Sequence, residues 1–233
     1  MIHDVHVPVL CIDGPSGVGK GTLSRWLCAE LGWNLLDSGA LYRVLAWLIV
    51  RDYGECEHYP ASCYKMGVDL SQRVSFDIID SRVILDGEEV SAQLRPEKIG
   101  AAASSIASLP EVRKVLLREQ RAFRVAPGLV ADGRDMGTVV FPDAGLKLFL
   151  NADASSRARR RYDQLNEMGF DANLERLEQE MSRRDERDAT RAVSPMRAAD
   201  DAVVVDTTHM NIREIRDLTL KILSSSRLFR DYQ

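Results

Sequence analysis

Several features of many protein classes are missing from this chain of 233 residues. The four cysteines form no CxxC pair and the four histidines are scattered, so the sequence has no zinc-site spacing, and we expect reduced thiols. No apolar run approaches the length of about 20 residues that crosses a bilayer. The N-terminal stretch lacks the basic and apolar regions of an export signal. These absences predict a cytoplasmic protein without a membrane anchor.

The chain also has no excess of positive charge, and its aromatic side chains are few. The chain has 31 basic and 35 acidic residues, a formal net charge of -4 and 6% aromatic residues. A nucleic-acid-binding protein usually has a basic surface with aromatic side chains that stack on bases, so we expect no nucleic-acid partner. Six of the basic residues are lysine and 25 are arginine. The arginine fork suits phosphates and carboxylates, but a compositional bias would give the same count, so the positions of the arginines matter more than their number.

The order of apolar segments predicts an α/β fold. Five short apolar stretches without central charges are typical of buried parallel strands, and amphipathic segments between them are typical of helices. Between the second and third of these strands, even-spaced apolar residues and an Asp86-Gly87 turn predict an inserted antiparallel hairpin. The predicted parallel strands are 7–12, 34–36, 128–131, 146–150 and 202–205, and the predicted helices are 19–31, 40–53, 96–107, 111–124, 154–168, 174–187 and 211–225.

Residues 14–20 read GPSGVGK, the G-x-x-x-x-G-K pattern of a phosphate-binding loop, and they lie between a predicted strand and a predicted helix. Glycines let several backbone N–H groups point at one anion, and Lys20 can reach the β- and γ-phosphates of a nucleotide. An ordinary turn would need neither the lysine nor the repeated glycines. The residue after the lysine is Gly21, so direct Mg²⁺ ligation by the later hydroxyl of Thr22 stays open. The expected ATP-binding residues are Gly14, Pro15, Ser16, Gly17, Val18, Gly19, Lys20, Gly21 and Thr22.

Charged residues next to the predicted strand ends are further candidates. Asp132 follows the predicted strand 128–131 and can hold Mg²⁺ through water, although a turn residue before Gly133 is an equally simple interpretation. Arg134 and Arg43 are placed to reach the same crevice, where each can bind a phosphate as a bidentate fork. The alternative for each is an ordinary surface arginine.

Four blocks, in order along the chain, resemble the bacterial cytidylate kinase family. They are residues 12–22 (IDGPSGVGKGT), 36–43 (LDSGALYR), 131–138 (ADGRDMGT) and 184–188 (RDERD) with Arg191. The resemblance implies a P-loop kinase with a central parallel sheet flanked by helices, formed by residues of about 1–58, 111–153 and 192–233. It also implies an inserted monophosphate-binding lobe with a small antiparallel sheet, about 59–110, and an arginine-rich helical lid, about 154–191.

The same resemblance implies a reaction and its participants. The enzyme would transfer a phosphoryl group in line from ATP to CMP or dCMP, with Mg²⁺, as a step of pyrimidine nucleotide metabolism. We expect a monomer. The alternatives are a P-loop kinase for another acceptor, such as UMP or shikimate, or a nucleotide-dependent switch. A switch is disfavoured because the sequence has no N-K-x-D motif and no acidic pair at the end of the strand before Gly133.

Site residues also follow from the resemblance. The implied catalytic residues are Lys20, Arg134, Arg184 and Arg187, and the implied metal residues are Thr22 and Asp132. The implied acceptor-binding residues are Ser38, Tyr42, Arg43, Ser104, Arg113, Arg134, Asp135, Arg184, Asp188 and Arg191.

Base selectivity depends on a subset of these residues. The matching base-reading positions are Ser104, Arg113, Asp135 and Arg191, with Ser105 as an alternative to Ser104, while Ser38, Arg184 and Asp188 would hold the sugar. A carboxylate can accept a hydrogen bond from the cytosine amino group, whereas uracil has a carbonyl there. An unpaired buried carboxylate costs about 1–3 kcal/mol, which would penalise UMP.

The predicted lid segment is balanced in charge. Residues 157–191 contain nine arginines and nine acidic residues, so ion pairing along helices explains part of the set, including Arg176 and Arg183. For Arg157, Arg161, Arg184 and Arg187 we favour a clamp on the phosphates, because phosphoryl transfer depends on positioning and on charge stabilisation. Closure of a lid would also exclude water.

Overall fold

A computed structural model describes residues 7–54, 64–167, 169 and 171–226. The predicted start of the insert at residue 59, the thiols of Cys56 and Cys63, and the helix end at Met168 lie outside the described residues. The chain divides into two compact units. The first unit is Met1–Val9 with Ser24–Gly133, and the second is Leu10–Leu23 with Arg134–Gln233.

Helical segments separate the strands of the parallel sheet along the chain, as the apolar pattern predicts. The elements are β1 (Val9–Asp13), α1 (Lys20–Leu31), β2 (Asn34–Asp37), α2 (Ser38–Tyr53), a 3₁₀ turn (Lys65–Gly67), α3 (Leu70–Arg73), β3 (Val74–Asp77), β4 (Arg82–Leu85), β5 (Glu88–Glu89), α4 (Ser91–Leu94), α5 (Glu97–Ile106), α6 (Pro110–Ala122), β6 (Leu129–Gly133), a π-helical turn (Met136–Val140), β7 (Leu146–Asn151), α7 (Ala154–Glu167), α8 (Leu174–Thr190), β8 (Val203–Asp206) and α9 (Ile212–Ser225).

The strands form one parallel and one antiparallel sheet. The parallel sheet has the strand order β2-β6-β1-β7-β8, and the small sheet has the order β3-β4-β5. In the first unit, the register of β2 and β6 sets Asp37 opposite Asp132 at the carboxyl ends of the strands. In the second unit, β1 pairs with β7 so that Asp13 lies opposite Phe149. The predicted fold class, a parallel sheet flanked by helices with a small antiparallel insert, is confirmed.

The core of the first unit is built around α2. The helix is apolar along almost its whole length, and Leu41, Leu45 and Ile49 are fully buried among residues of α5, α6 and the small sheet. Glu119 on α6 is also buried, where it accepts hydrogen bonds from Ser71 N at 3.0 Å and Ser71 Oγ at 2.7 Å. These bonds satisfy a carboxylate that would otherwise be costly to bury.

Local turn and cap predictions agree with the structure. The turn between β4 and β5 has Asp86 and Gly87 at φ values of 52° and 86°, as a type I′ hairpin requires. Pro110 is at the start of α6. Asn211 caps α9 through Arg213 N and Glu214 N, and Glu214 returns a bond to Asn211 N, which completes a capping box.

The prediction that the last strand is buried is wrong. In β8, Val203 and Val204 are 39% and 60% exposed, and only Val205 is buried. The reason is that β8 lies at the edge of the sheet. The short helices α3 and α4 and the π-helical turn were not predicted, because four or five residues are too few to show a helical period. Among the helices of the described residues, none is long and apolar enough to cross a membrane.

We predict that Asn211→Ala lowers the free energy of unfolding by about 1 kcal/mol, because two amides of the first turn of α9 lose their acceptor. Urea titration measures this value. Asn211→Ser keeps an acceptor at the cap and should retain most of the stability. Equal losses in the two variants would show that the capping bonds do not stabilise α9.

Candidate active site

The loop between β1 and α1 requires glycine at defined positions. Gly14, Gly17 and Gly19 have φ values of 139°, 81° and 93°, which side chains other than glycine rarely adopt. A Cβ on Gly14 would lie 2.1 Å from the carbonyl oxygen of Leu150. The glycines predicted from the motif therefore allow both the curled backbone and its close approach to β7.

Lys20 is at the first position of α1, where its side chain is buried. Its Nζ atom donates a hydrogen bond to the carbonyl oxygen of Pro15 at 2.9 Å, so the ammonium lies against the loop that precedes it. Thr22, in the same first turn of the helix, is exposed. This arrangement places a positive charge beside the backbone N–H groups of the loop, which suits a polyphosphate.

Asp13, the residue just before the loop, is buried and charged. Its two carboxylate oxygens accept hydrogen bonds from Met136 N and Gly137 N, each at 2.8 Å. Burial raises the pKa of Asp13 from 3.8 to about 6, against the lowering effect of the two amides and of Lys20, and nearby Asp135 adds to the rise. Sequence reasoning assigned Asp13 no role, although it belongs to the IDGP block.

Four predicted acceptor-binding side chains meet in the second unit. Arg134 Nε is 3.2 Å from Asp188 Oδ2, and Arg191 Nη1 is 3.8 Å from Asp188 Oδ1. Arg191 Nη2 is 3.9 Å from Asp135 Oδ1. The side chains of Asp135, Asp188 and Arg191 are buried. Because the guanidinium lies close to both carboxylates, the opposite charges compensate one another, as buried ions require. The structure brings these residues together, while their roles remain predictions.

The arginines of the predicted lid have different environments. Arg157 is buried, donates to Ala152 O at 3.0 Å and Ser16 O at 3.1 Å, and forms an ion pair with Asp185. It therefore links α7 to the backbone of the glycine loop. We had expected Arg157 to bind the phosphates of the nucleotide, whereas in this structure its guanidinium binds protein groups. Arg187 is exposed and Arg184 is half-buried. The ion-pair prediction for Arg176 is confirmed, because its Nε atom is 2.8 Å from Glu180 Oε1.

The remaining acceptor-binding candidates lie in the first unit. Ser38 Oγ donates to Gln120 Oε1 at 2.8 Å, and Arg43 Nη1 donates to Leu94 O at 3.0 Å. Sequence reasoning missed Gln120, because nothing in its local pattern marks it.

Arg113 and Tyr42 are neighbours in the same unit. The guanidinium of Arg113 lies 6.0 Å from the centre of the Tyr42 ring, and its Nη1 atom donates to Ala107 O at 3.3 Å. Both side chains are buried. The ring face therefore helps to hold the guanidinium in place.

Ser104 and Ser105 differ in their surroundings. Ser104 is buried, and its Oγ atom has no hydrogen-bond partner among the described residues. Ser105 is exposed. A buried hydroxyl without a protein partner is uncommon, which makes Ser104 the better candidate of the two for a contact with the base.

The residues predicted to hold Mg²⁺ fit that ion. Asp132 is a buried carboxylate at the carboxyl end of β6, opposite Asp37 on β2, and Thr22 offers an exposed hydroxyl. Mg²⁺ usually keeps several waters and binds through one or two carboxylates together with substrate phosphates, so an all-protein cage is not required.

The parallel sheet, the glycine loop after its strand β1 and the buried lysine at the start of α1 define the chain as a P-loop protein. Residues 10–225 match the family model described as cytidylate kinase. The cytidylate kinase of Aeromonas salmonicida is 54% identical over 208 residues, which cover 89% of this chain and 90% of that protein. The cytidylate kinase of Shewanella denitrificans is 50% identical over 220 residues, or 94% and 97% of the two chains. The chain belongs to the cytidylate kinase family.

The similarity to a solved structure is much weaker. A gluconokinase from Sinorhizobium meliloti 1021 aligns with 94% of this chain and 93% of its own, with 16% sequence identity and a TM-score of 0.46. That likeness has no bearing on the substrate.

We predict that Asp13 makes the stability of the protein depend on pH. Because burial raises the pKa of Asp13 from 3.8 in the unfolded chain to about 6 in the folded state, the contribution of Asp13 to stability is fully present below about pH 3.8 and is lost as pH rises through about 6. Relative to Asp13→Asn, the wild type should lose about 2 kcal/mol between about pH 4.5 and about pH 7.5. Urea titrations at several pH values measure the difference.

Asp201→Asn is a control with the opposite sign, because the hydrogen bond from Lys147 lowers the pKa of Asp201. Here the wild type should gain stability relative to the variant as pH rises. If the difference in the free energy of unfolding between the wild type and Asp13→Asn is the same at every pH, the pKa of Asp13 is not raised in the folded state.

Proposed function

We propose that this chain transfers the γ-phosphoryl group of ATP to CMP or dCMP, giving ADP and CDP or dCDP. The observation that carries the proposal is membership in the cytidylate kinase family, from a match that spans residues 10–225. An oxygen of the CMP phosphate attacks the γ-phosphorus, a new O–P bond forms, and the bond to the β-phosphate oxygen breaks. No covalent intermediate on the protein is needed.

The donor side of the reaction is assigned to the glycine loop. Its backbone N–H groups would bind the β-phosphate, as the positive φ values of Gly17 and Gly19 allow. Lys20 would exchange its bond to Pro15 O for the β- and γ-phosphate oxygens. This exchange keeps the ammonium hydrogen-bonded in both states, so little penalty for an unpaired buried charge arises on release of the nucleotide.

The acceptor side is assigned to two sets of residues. In the second unit, Arg134 would bind the acceptor phosphate and Asp135 the cytosine amino group, with Arg191 beside it. Arg191 and Arg134 already face carboxylates, so the site is preorganised and few side chains must be ordered on binding. In the first unit, Arg43, Arg113 and Ser38 are the remaining acceptor-binding candidates, and the Tyr42 ring lies beside the Arg113 guanidinium.

The chemical step would depend on charge stabilisation. Negative charge develops on oxygens around the transferred group, and arginine forks of α8, Arg184 and Arg187, would bind it. Asp132, through water, and Thr22 are the residues that would hold Mg²⁺, and that ion would supply neutralisation of phosphate charge when bound. The chain thus supplies positioning and electrostatics, without a general base.

We predict that an ADP-release assay with ATP and a panel of acceptors shows the highest kcat/KM for CMP or dCMP. UMP should be poorer by about 5-fold to 150-fold, because it leaves Asp135 facing a carbonyl. AMP and shikimate should give rates near the background measured without an acceptor. A higher kcat/KM for any of these three acceptors would refute the proposed function.

We also predict that Ser104→Ala raises KM for CMP by about 3-fold to 10-fold, as expected for the loss of one hydrogen bond to the substrate. Its free energy of unfolding should stay the same or rise, because the hydroxyl has no partner among the described residues. Ser105→Ala is the matched control, since that neighbour is exposed. A rise in KM for Ser105→Ala alone would assign base recognition to Ser105 instead.

A further inference from the structure

The helical turn after Asp135 is capped in an unusual way. Asp135 has the N-cap position of the turn Met136–Val140, with φ -147° and ψ 24°, yet its side chain makes no capping bond. The amides of Met136 and Gly137 donate to Asp13, which is more than 100 residues earlier in the chain. The backbone carbonyl of Asp135 does join the turn, because it accepts from Val139 N at 2.9 Å.

The side chain of an aspartate at an N-cap normally accepts from the amide two or three residues later. Such local bonds compete with any other use of the carboxylate. For Asp135 the first of these amides is Gly137 N, which donates instead to Asp13, and the carboxylate of Asp135 lies 3.9 Å from the guanidinium of Arg191. Asp135 is buried, with 3% of its surface exposed, so its orientation is set by the protein rather than by solvent.

The turn is packed too closely for Asp13 and Gly137 to be replaced freely. A Cβ on Gly137 would lie 3.4 Å from Asp13 Oδ2 and 3.0 Å from Lys147 Cδ. Lys147 is itself fixed, since its Nζ atom donates to Pro142 O at 2.7 Å and to Asp201 Oδ1 at 2.9 Å. The turn therefore lies between a carboxylate and an anchored aliphatic stem, and glycine is what lets the amide reach the carboxylate.

We infer that Asp13 is a positioning residue for base selectivity: it caps the turn Met136–Val140 in place of Asp135 and so keeps the Asp135 carboxylate beside Arg191, where it would accept from the cytosine amino group. The inference rests on the proposed function, in which Asp135 reads the base. Asp13 itself touches no substrate in this scheme. It acts by holding the Gly137 amide, which the Asp135 side chain would otherwise bind.

The test is the selectivity of Asp13→Asn, measured as kcat/KM for CMP divided by kcat/KM for UMP. An asparagine amide has one oxygen and one NH₂ group, so at most one of the two capping bonds survives in its original form. The released amide becomes a partner for Asp135. We expect selectivity to fall by about 10-fold, which corresponds to about 1.4 kcal/mol, while KM for ATP changes by less than about 3-fold.

A double variant separates positioning from a general loss of structure. If Asp13 acts through Asp135, then Asp13→Asn with Asp135→Ala has the same selectivity as Asp135→Ala alone. If Asp13→Asn fails to fold, Gly137→Ala approaches the same contact from the other side and should also lower selectivity. Glu119→Gln is the matched control, because Glu119 is another buried carboxylate with two donors, both from Ser71, in the first unit. Its selectivity should equal that of the wild type.

Two outcomes would overturn the inference. One is unchanged selectivity in Asp13→Asn or Gly137→Ala, and the other is an effect of Asp13→Asn that persists in full when Asp135 is already alanine. Failure of the proposed function would be distinct, because the wild type itself would then show no preference for CMP.

Discussion

The second unit depends on one buried carboxylate. Asp13 ends the strand β1, and burial of its charge is unfavourable unless donors surround it. Those donors are the amides of Met136 and Gly137, so the strand that leads into the glycine loop also fixes the segment that carries Arg134 and Asp135. The glycine loop and part of the proposed acceptor-binding set are thus both held by this one carboxylate.

The charges around this carboxylate follow a consistent rule: each buried ion has a partner within the protein. Lys20 lies on a backbone carbonyl, and Arg134 and Arg191 face Asp188 and Asp135. A nucleotide can then replace protein partners with phosphate oxygens or base atoms, without leaving an ion unpaired in either state. This explains how a chain with a net charge of -4 can bind two anionic nucleotides.

Local patterns predicted much of the fold and part of the candidate site. The glycine loop, the Asp86-Gly87 turn and the Asn211 capping box each depend on neighbouring residues, so the sequence alone revealed them. The exposure of Val204 was not predictable in this way, because it follows from the edge position of β8 in the sheet.

The contacts that sequence reasoning missed at the site have one feature in common. The bonds of Asp13 to Met136, of Ser38 to Gln120 and of Arg157 to Ser16 join residues between 82 and 141 positions apart. No local period or cap signals such a contact. The family resemblance supplied the residues that would touch the substrate, whereas the residues that would hold them in place emerged only from the three-dimensional contacts.

The most direct test of the role of Asp13 is a crystal structure of Asp13→Asn. The account predicts that the Asp135 side chain turns away from Arg191 and accepts a hydrogen bond from Gly137 N. An Asp135 carboxylate that keeps its place beside Arg191, with the turn unchanged, would contradict the account.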